Sequence, residues 1–274
     1  MTQTEAPRPF NEDLRAKTVV KTGFTETPNT RIFDIYCELA KDISKFKIAT
    51  FSLFDSNEQC SIAKSGDKNF KKGTKSPRDE FNICTYVLLN NEPLIIRDIW
   101  NDPVWKKHPK ALDKTSMRGY AGFPVINKDN YALGTLCLQN PEPITISPKK
   151  IFLMKEIASN ISLLLDTQIE QKEATAEKFI NVLSYFHTHY DFLTILDIKH
   201  YLMAICDLNF DYNQGSNLVK AGLIEIGNDK MPSLSIEGKK LKNVLDLKTK
   251  QIKKIKLRGN EATNVLDEML SKIE

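Results

Sequence analysis

Proline sets the first limit on what this chain can fold into. Eleven of its twelve prolines lie at or before Pro148, and only Pro232 follows. Proline fixes φ and has no N–H to donate, so it interrupts helix interiors and sheet ladders. A loop-rich α+β domain is therefore predicted over residues 1–147. Ser147-Pro148 then reads as a strong helix start, a capping hydroxyl before a proline at the first helical position. From there to about His187 there is neither glycine nor proline. We read residues 148–178 as a connecting helix, 179–260 as a mainly helical second domain and 261–274 as a terminal helix.

The apolar pattern places the elements of the first domain. Ile32, Phe33, Ile35, Tyr36 and Leu39 recur at helical spacing behind Asn29 or Thr30 as a cap. Phe46 to Phe54 alternates as a strand, Asp55 to Asn57 supplies a turn, and Gln59 to Lys64 is its hairpin partner. A short helix is expected over Thr85 to Leu89 and a strand over Pro93 to Asp98. The stretch from Ile99 to Arg118, with Trp100 and Trp105, is too long for a plain connector. Tyr120–Ile126 and Tyr131–Leu138 read as a hairpin closed by Asn127, Lys128, Asp129 and Asn130. Gly122 and Gly134 weaken its arms and call for close backbone approach or open space. Pro124 calls for an edge or a bulge.

No apolar run reaches the roughly 20 residues that a spanning helix needs. The polar start MTQTEAPRPFNEDLR lacks the pattern of a signal peptide. The expectation is a cytoplasmic protein with no membrane partner. Five scattered cysteines without a C-x-x-C pair fit reduced, buried thiols. No phosphate-cradling or dinucleotide glycine motif occurs. His187 and His189, two apart on a helix, point to different sides, so no metal site is expected.

Several pieces together carry a family resemblance. Phe33-Asp34, FSLFD at residues 51–55, SPRDEFNIC at 76–84, PLIIRD at 93–98, RGYAGFPV at 118–125 and LGTLCL at 133–138 resemble, in order and spacing, a GAF domain over roughly residues 10–170. The resemblance implies a twisted antiparallel sheet with helices on one face and a small-molecule pocket on the other. It also implies a sensory role in signalling. We expect Arg78, Cys84, Asp98, Trp100, Tyr120 and Cys137 to line or rim that pocket, with Asp98 and Arg78 as orienting charges in an apolar cleft. Gly122 and Gly134 would leave room there. Phytochrome-type members attach a bilin through a cysteine usually followed by histidine, whereas Cys84 is followed by Thr85. A nucleophilic thiol needs a base, and the sequence places only His108 in the first domain. Binding without catalysis is the expectation, with ligand and cofactor unspecified.

The second domain reads helix, helix, helix, strand, wing, strand, helix. Phe179, Val182, Leu183 and Phe186 share one face. Thr194 caps the next helix, a third covers Tyr212 to Ala221, and two strands flank the turn from Gly227 to Lys230. Asn217 to Leu245 is similar to the last helix and wing of MarR- and PadR-type regulators. That resemblance implies double-stranded DNA as a partner, with Asn213, Gln214, Asn217, Lys220, Lys239 and Lys240 as its contacts. From Glu173 onward fourteen basic residues balance fourteen acidic ones, but nine bases from Lys239 to Arg258 face only Asp246. Such a run can bind phosphates or be a solvated face. Glu261 to Ile273 presents an apolar face suited to a homodimer. Sensor-regulator, protein-binding adaptor and a GAF-type thiol redox enzyme using Cys84 and Cys137 remain open on sequence alone.

Overall fold

Strands whose residues alternate between two apolar environments build the first unit. The computed structural model describes residues 6–26, 31–112, 117–208, 210–227 and 231–247. It divides into two units, Met1–Ala174 and Thr175–Glu274. In the first, β1 (Ile48–Phe54), β2 (Glu58–Ser65), β3 (Thr74–Pro77), β4 (Leu94–Ile96), β5 (Gly119–Ile126) and β6 (Ala132–Asn140) form one sheet in the order β3-β2-β1-β6-β5-β4. Every pairing is antiparallel. The β1–β6 pair at its centre joins distant segments, with Thr50 opposite Cys137 and Leu53 opposite Gly134. The α+β expectation and the predicted hairpins agree with this sheet.

The period of two sorts side chains onto two faces. Ala49, Phe51 and Leu53 of β1, Ala121, Phe123 and Val125 of β5, and Leu136 and Leu138 of β6 enter one core. That core is covered by α1 (Glu12–Thr22), α2 (Asp34–Ser44) and the first part of α5 (Pro148–His189), through Val19, Cys37, Ala40, Met154, Ile161 and Leu165. Burying each large apolar side chain there contributes about 1.5–3 kcal/mol. On the other face Phe54, Tyr120 and Cys137 pack with Ile83, Cys84 and Val87 of α3 (Ile83–Val87) and with Ile96 and Ile99. This second cluster is the ground on which the cavity is built.

Pro124 sits where it costs little. β4 begins with Leu94 opposite Gly122, so β5 has no described neighbour on that side at Pro124, and a register shift follows at Val125/Ile126. The glycine expectation needs correction. A Cβ on Gly134 would lie 2.2 Å from the Ser52 carbonyl oxygen, and one on Gly122 would lie 2.5 Å from both the Tyr120 hydroxyl and Val87 Cγ2. Neither glycine opens the cavity; one admits the β1 backbone and the other admits the Tyr120 ring. The excursion after Ile99 contains a 3-10 turn, Trp105–Lys107, and α4 (Pro109–Leu112). Trp105 and His108 meet Tyr86 edge to face and tilt against each other, with ring centroids 5.1–5.6 Å apart.

In the second unit the end of α5 is followed by α6 (Ile195–Ile205), a 3-10 turn at Tyr212–Gly215, α7 (Ser216–Lys220), the strand pair β7 (Ile224–Ile226) and β8 (Pro232–Leu234), and α8 (Ile236–Val244). Thr194 does cap α6: its side chain and the Asp197 backbone close a reciprocal capping box. Val182, Phe186, Ile198, Tyr201, Leu218, Leu223 and Leu241 form the core, and the Tyr201 hydroxyl donates to the Gly238 carbonyl at 2.8 Å. Of the four residues expected on one helical face, Val182 and Phe186 are buried, whereas Phe179 is 44% exposed. The expected terminal helix at residues 261–274, and the basic residues from Lys248 to Arg258, lie outside the described residues.

Candidate functional site

The cavity on the free face of the sheet has a volume of about 450 Å³. Its apolar wall comes from Pro77, Phe81, Ile83 and Met117, and its polar groups from Gln59, Ser76, Asp79, Asn82, Lys110 and Gln139. Cys84 and Tyr120 complete the lining. Four separate segments converge here: β2, the end of β3 with the turn into α3, the chain around α4, and the β5–β6 pair. A hydrogen-bonded row fixes the polar wall. Asn82 Nδ2 donates to Gln59 Oε1 at 2.6 Å, and Gln59 Nε2 donates to Ser52 Oγ at 2.8 Å. Side chains held this way present fixed donors and acceptors to a guest, and orientation then costs little on binding.

Behind this wall lies a buried polar cluster. The Tyr120 hydroxyl is 3.0 Å from Cys137 Sγ, Cys137 Sγ is 3.0 Å from Cys84 Sγ, and Thr135 Oγ1 is 3.1 Å from Cys137 Sγ. The hydrogen bond from Cys137 draws the Cys84 thiol below its usual pKa against the opposing pull of burial. Burial, and then Cys84, push Cys137 well above it. Burial likewise raises Tyr120 far above the usual phenol range.

Of the six expected pocket residues, the structure brings Cys84 and Tyr120 to the cavity and sets Cys137 directly behind them. The other three stand elsewhere. Arg78 is fully buried, paired with Glu12 Oε1 at 2.5 Å and donating to the Asp55 carbonyl. A desolvated guanidinium goes to a carboxylate and carbonyls rather than to an open cleft. Asp98 accepts two bonds from Arg118, at 3.0 and 2.5 Å, and one from Asn101. It lies two residues beyond β4, and its carboxyl is held below the usual range, chiefly by Arg118. Trp100 lies under the Arg118 guanidinium, 4.4 Å from the ring centroid. Both are outside the lining. Sequence reasoning missed Gln59, Asn82, Lys110 and Gln139. Gln139 had a signal, since it shares the pocket face of β6 with Cys137 by the period of two. Lys110 had none, because only the folded excursion brings it to the rim.

The six residues expected at DNA are in the second unit. Asn213, Gln214, Lys220, Lys239 and Lys240 are exposed, and Lys240 pairs with Glu237 at 2.6 Å. Asn217 is half-buried and donates to both Asp197 oxygens at 3.3–3.4 Å, so it braces the α6 cap. A separate apolar cleft of about 470 Å³ lies along α6, lined by Phe179, Ile195, Leu196, Leu202, Met203 and Leu208 among others. Among the described residues no group of His, Cys, Asp and Glu is placed to hold a metal, and no helix is long and apolar enough to cross a membrane.

The family model described as the GAF domain matches residues 27–166, just over half of the 274 residues. The chain belongs to the GAF domain family. Its match includes all six strands and α3, so the cavity is that of the GAF unit. The chain is also similar to a cyclic di-GMP phosphodiesterase of Pseudomonas aeruginosa, 27% identical over 137 residues, which cover 50% of this chain and 22% of that protein. It thus spans less than a quarter of the curated relative's length. Among solved structures it is similar to the PixJ GAF domain of Thermosynechococcus elongatus, at 16% identity and a TM-score of 0.43 over 66% of this chain and 98% of that one. It is also similar to the GAF domain of an Acinetobacter phosphoenolpyruvate-protein phosphotransferase, at 15% identity and 0.42 over 59% and 96%.

Proposed function

We propose that this GAF protein is a signalling protein that binds a small molecule in the cavity of its first unit, with a winged-helix-like second unit as its output. The carrying observation is the cavity itself, about 450 Å³ with an apolar wall and the fixed Asn82–Gln59–Ser52 row. That volume is in the range of small-molecule sites. The similarity to a cyclic di-GMP phosphodiesterase supports a place in signalling, and the reading assigns the protein no catalytic step of its own. Native mass spectrometry of gently purified protein tests it. We expect a retained molecule in the native ion, and its loss when Gln59→Leu and Asn82→Leu are combined. Protein that carries nothing, and whose melting temperature is unmoved by a metabolite library, would sink the reading.

For the output, the order of α6, α7, the β7–β8 pair and α8 supports contact with duplex DNA through Asn213, Gln214, Lys220, Lys239 and Lys240. A second reading is favoured by the apolar cleft on α6, where Ile195, Leu196 and Leu208 are more than half exposed. A largely apolar patch of this kind, with Lys199 as its one charged lining residue, is suited to an isologous contact, in which one surface covers its own copy. The second reading is therefore self-association of the second unit.

A further inference from the structure

Two of the five cysteines stand apart from the rest by position. Cys37 and Cys60 are buried in the helix-covered core, and Cys206 is exposed in the second unit. Cys84 and Cys137 meet at the cavity, one on α3 and one on β6, with Sγ atoms 3.0 Å apart. Cys84 forms part of the lining and is 7% exposed, so it has a path to whatever enters; Cys137 is 2% exposed and reaches only Cys84, Tyr120 and Thr135. A disulfide holds the sulfurs about 2.05 Å apart, roughly 1 Å closer than they stand here. No other side chain separates them.

We propose that Cys84 and Cys137 are an oxidisable dithiol, a covalent modification site that closes into an intramolecular disulfide when a hydroperoxide enters the cavity. The Cys84 thiolate attacks one peroxide oxygen. The O–O bond breaks, sulfur is oxidised to the sulfenic acid, and the departing hydroxide takes the proton that Cys84 released, leaving as water. Cys137 Sγ then attacks Cys84 Sγ. The S–S bond forms, the S–O bond breaks, and the hydroxide leaves as water with the Cys137 proton. Two thiols and one hydrogen peroxide thus become one disulfide and two waters. The division of roles follows position, since Cys84 faces the cavity and Cys137 stands behind it as the resolving thiol. The lowered pKa of Cys84 supports the same order, because the thiolate is the nucleophile. The new bond would tie α3 to β6 across the back of the cavity. This inference goes beyond ligand sensing and does not depend on it.

The test uses the full reduced chain, treated with hydrogen peroxide, alkylated with N-ethylmaleimide under denaturing conditions, digested and analysed by mass spectrometry. We expect the Cys84 and Cys137 peptides to appear linked, lighter by two hydrogen atoms and separable with dithiothreitol. Both lose alkylation together, while Cys37 and Cys60 remain alkylated. Full alkylation of Cys84 and Cys137 at a peroxide dose that oxidises the exposed Cys206 would overturn the proposal, as would disulfides joining either one to a different cysteine. In Cys137→Ser the sulfenic acid has no resolving thiol, so dimedone should label Cys84. No label in that variant, if it folds, counts against the mechanism; if it does not fold, the wild-type measurement decides.

Discussion

Glu12 is the carboxylate on which two buried guanidinium groups depend. Arg15 and Arg78 both have fully buried side chains, and Glu12, 18% exposed, receives bonds from each at 2.5–3.3 Å. Arg15 also donates to the Phe54 carbonyl at 2.7 Å, fastening α1 to the end of the sheet. Burial works against the Glu12 charge, but the bonds and charges of Arg15 and Arg78 outweigh it and hold the pKa below the usual carboxylate value. A depressed folded pKa means that the ion stabilises the fold above the unfolded value of about 4.3, and that this contribution is lost as pH falls through the folded value. Glu12→Gln leaves two buried cations without a counter-charge. We expect a loss of about 3 kcal/mol in urea unfolding at neutral pH, shrinking as the pH falls below the unfolded value of about 4.3. A pH-independent difference would contradict the ionic account. None of this was legible in the sequence. Arginine is ordinarily a surface residue, and the carbonyls that capture Arg15 lie 39 and 117 residues away along the chain.

Strands were the most legible elements, because their period of two is local and survives without knowledge of partners. The β5–β6 hairpin and the β1–β2 hairpin match their predicted segments within a residue or two. The helix α1 went unpredicted because its buried side includes Arg15 alongside Ala16, Val19 and Thr22. A pattern with a charge at its centre does not read as an apolar face. The two hairpin glycines were legible as exceptions, but their reason needed the third dimension. Gly134 faces the backbone of β1, which cannot give way without parting the central pair. Gly122 faces side chains rather than backbone, the Tyr120 ring and Val87 Cγ2. We therefore expect Gly134→Ala to destabilise by about 2 kcal/mol or more in chemical denaturation, as overpacking at a rigid site does. Gly122→Ala should cost less, while displacing the Tyr120 hydroxyl from Cys137. Equal costs at the two sites would refute the distinction.

At the scale of the molecule, half of the candidate site and the sequence of elements in the second unit were legible, whereas the surfaces were not. Cys84, Tyr120 and Cys137 lay on segments whose order identified the GAF unit. Asp98 and Arg78 were chosen for their charge, and charge in a fold is first satisfied by its nearest partner, here Arg118 and Glu12. The same limit applies to the second unit, where spacing put Phe179 on one helical face with Val182, Leu183 and Phe186. It instead lines the cleft on α6, together with Leu196 and Leu208. An exposed apolar surface of this kind on a single chain marks an interaction site when it is contiguous. If the occupant is a second copy, Leu196→Glu places one carboxylate from each copy at the contact and desolvates both. Light scattering across a concentration series should then show a dimer for the wild-type chain and a monomer for the variant, with an unchanged melting temperature at low concentration, because Leu196 is 61% exposed in the single chain. A wild-type protein that stays monomeric throughout the series would remove self-association. Salt-dependent binding of that monomer to duplex DNA would then favour the winged-helix contact instead.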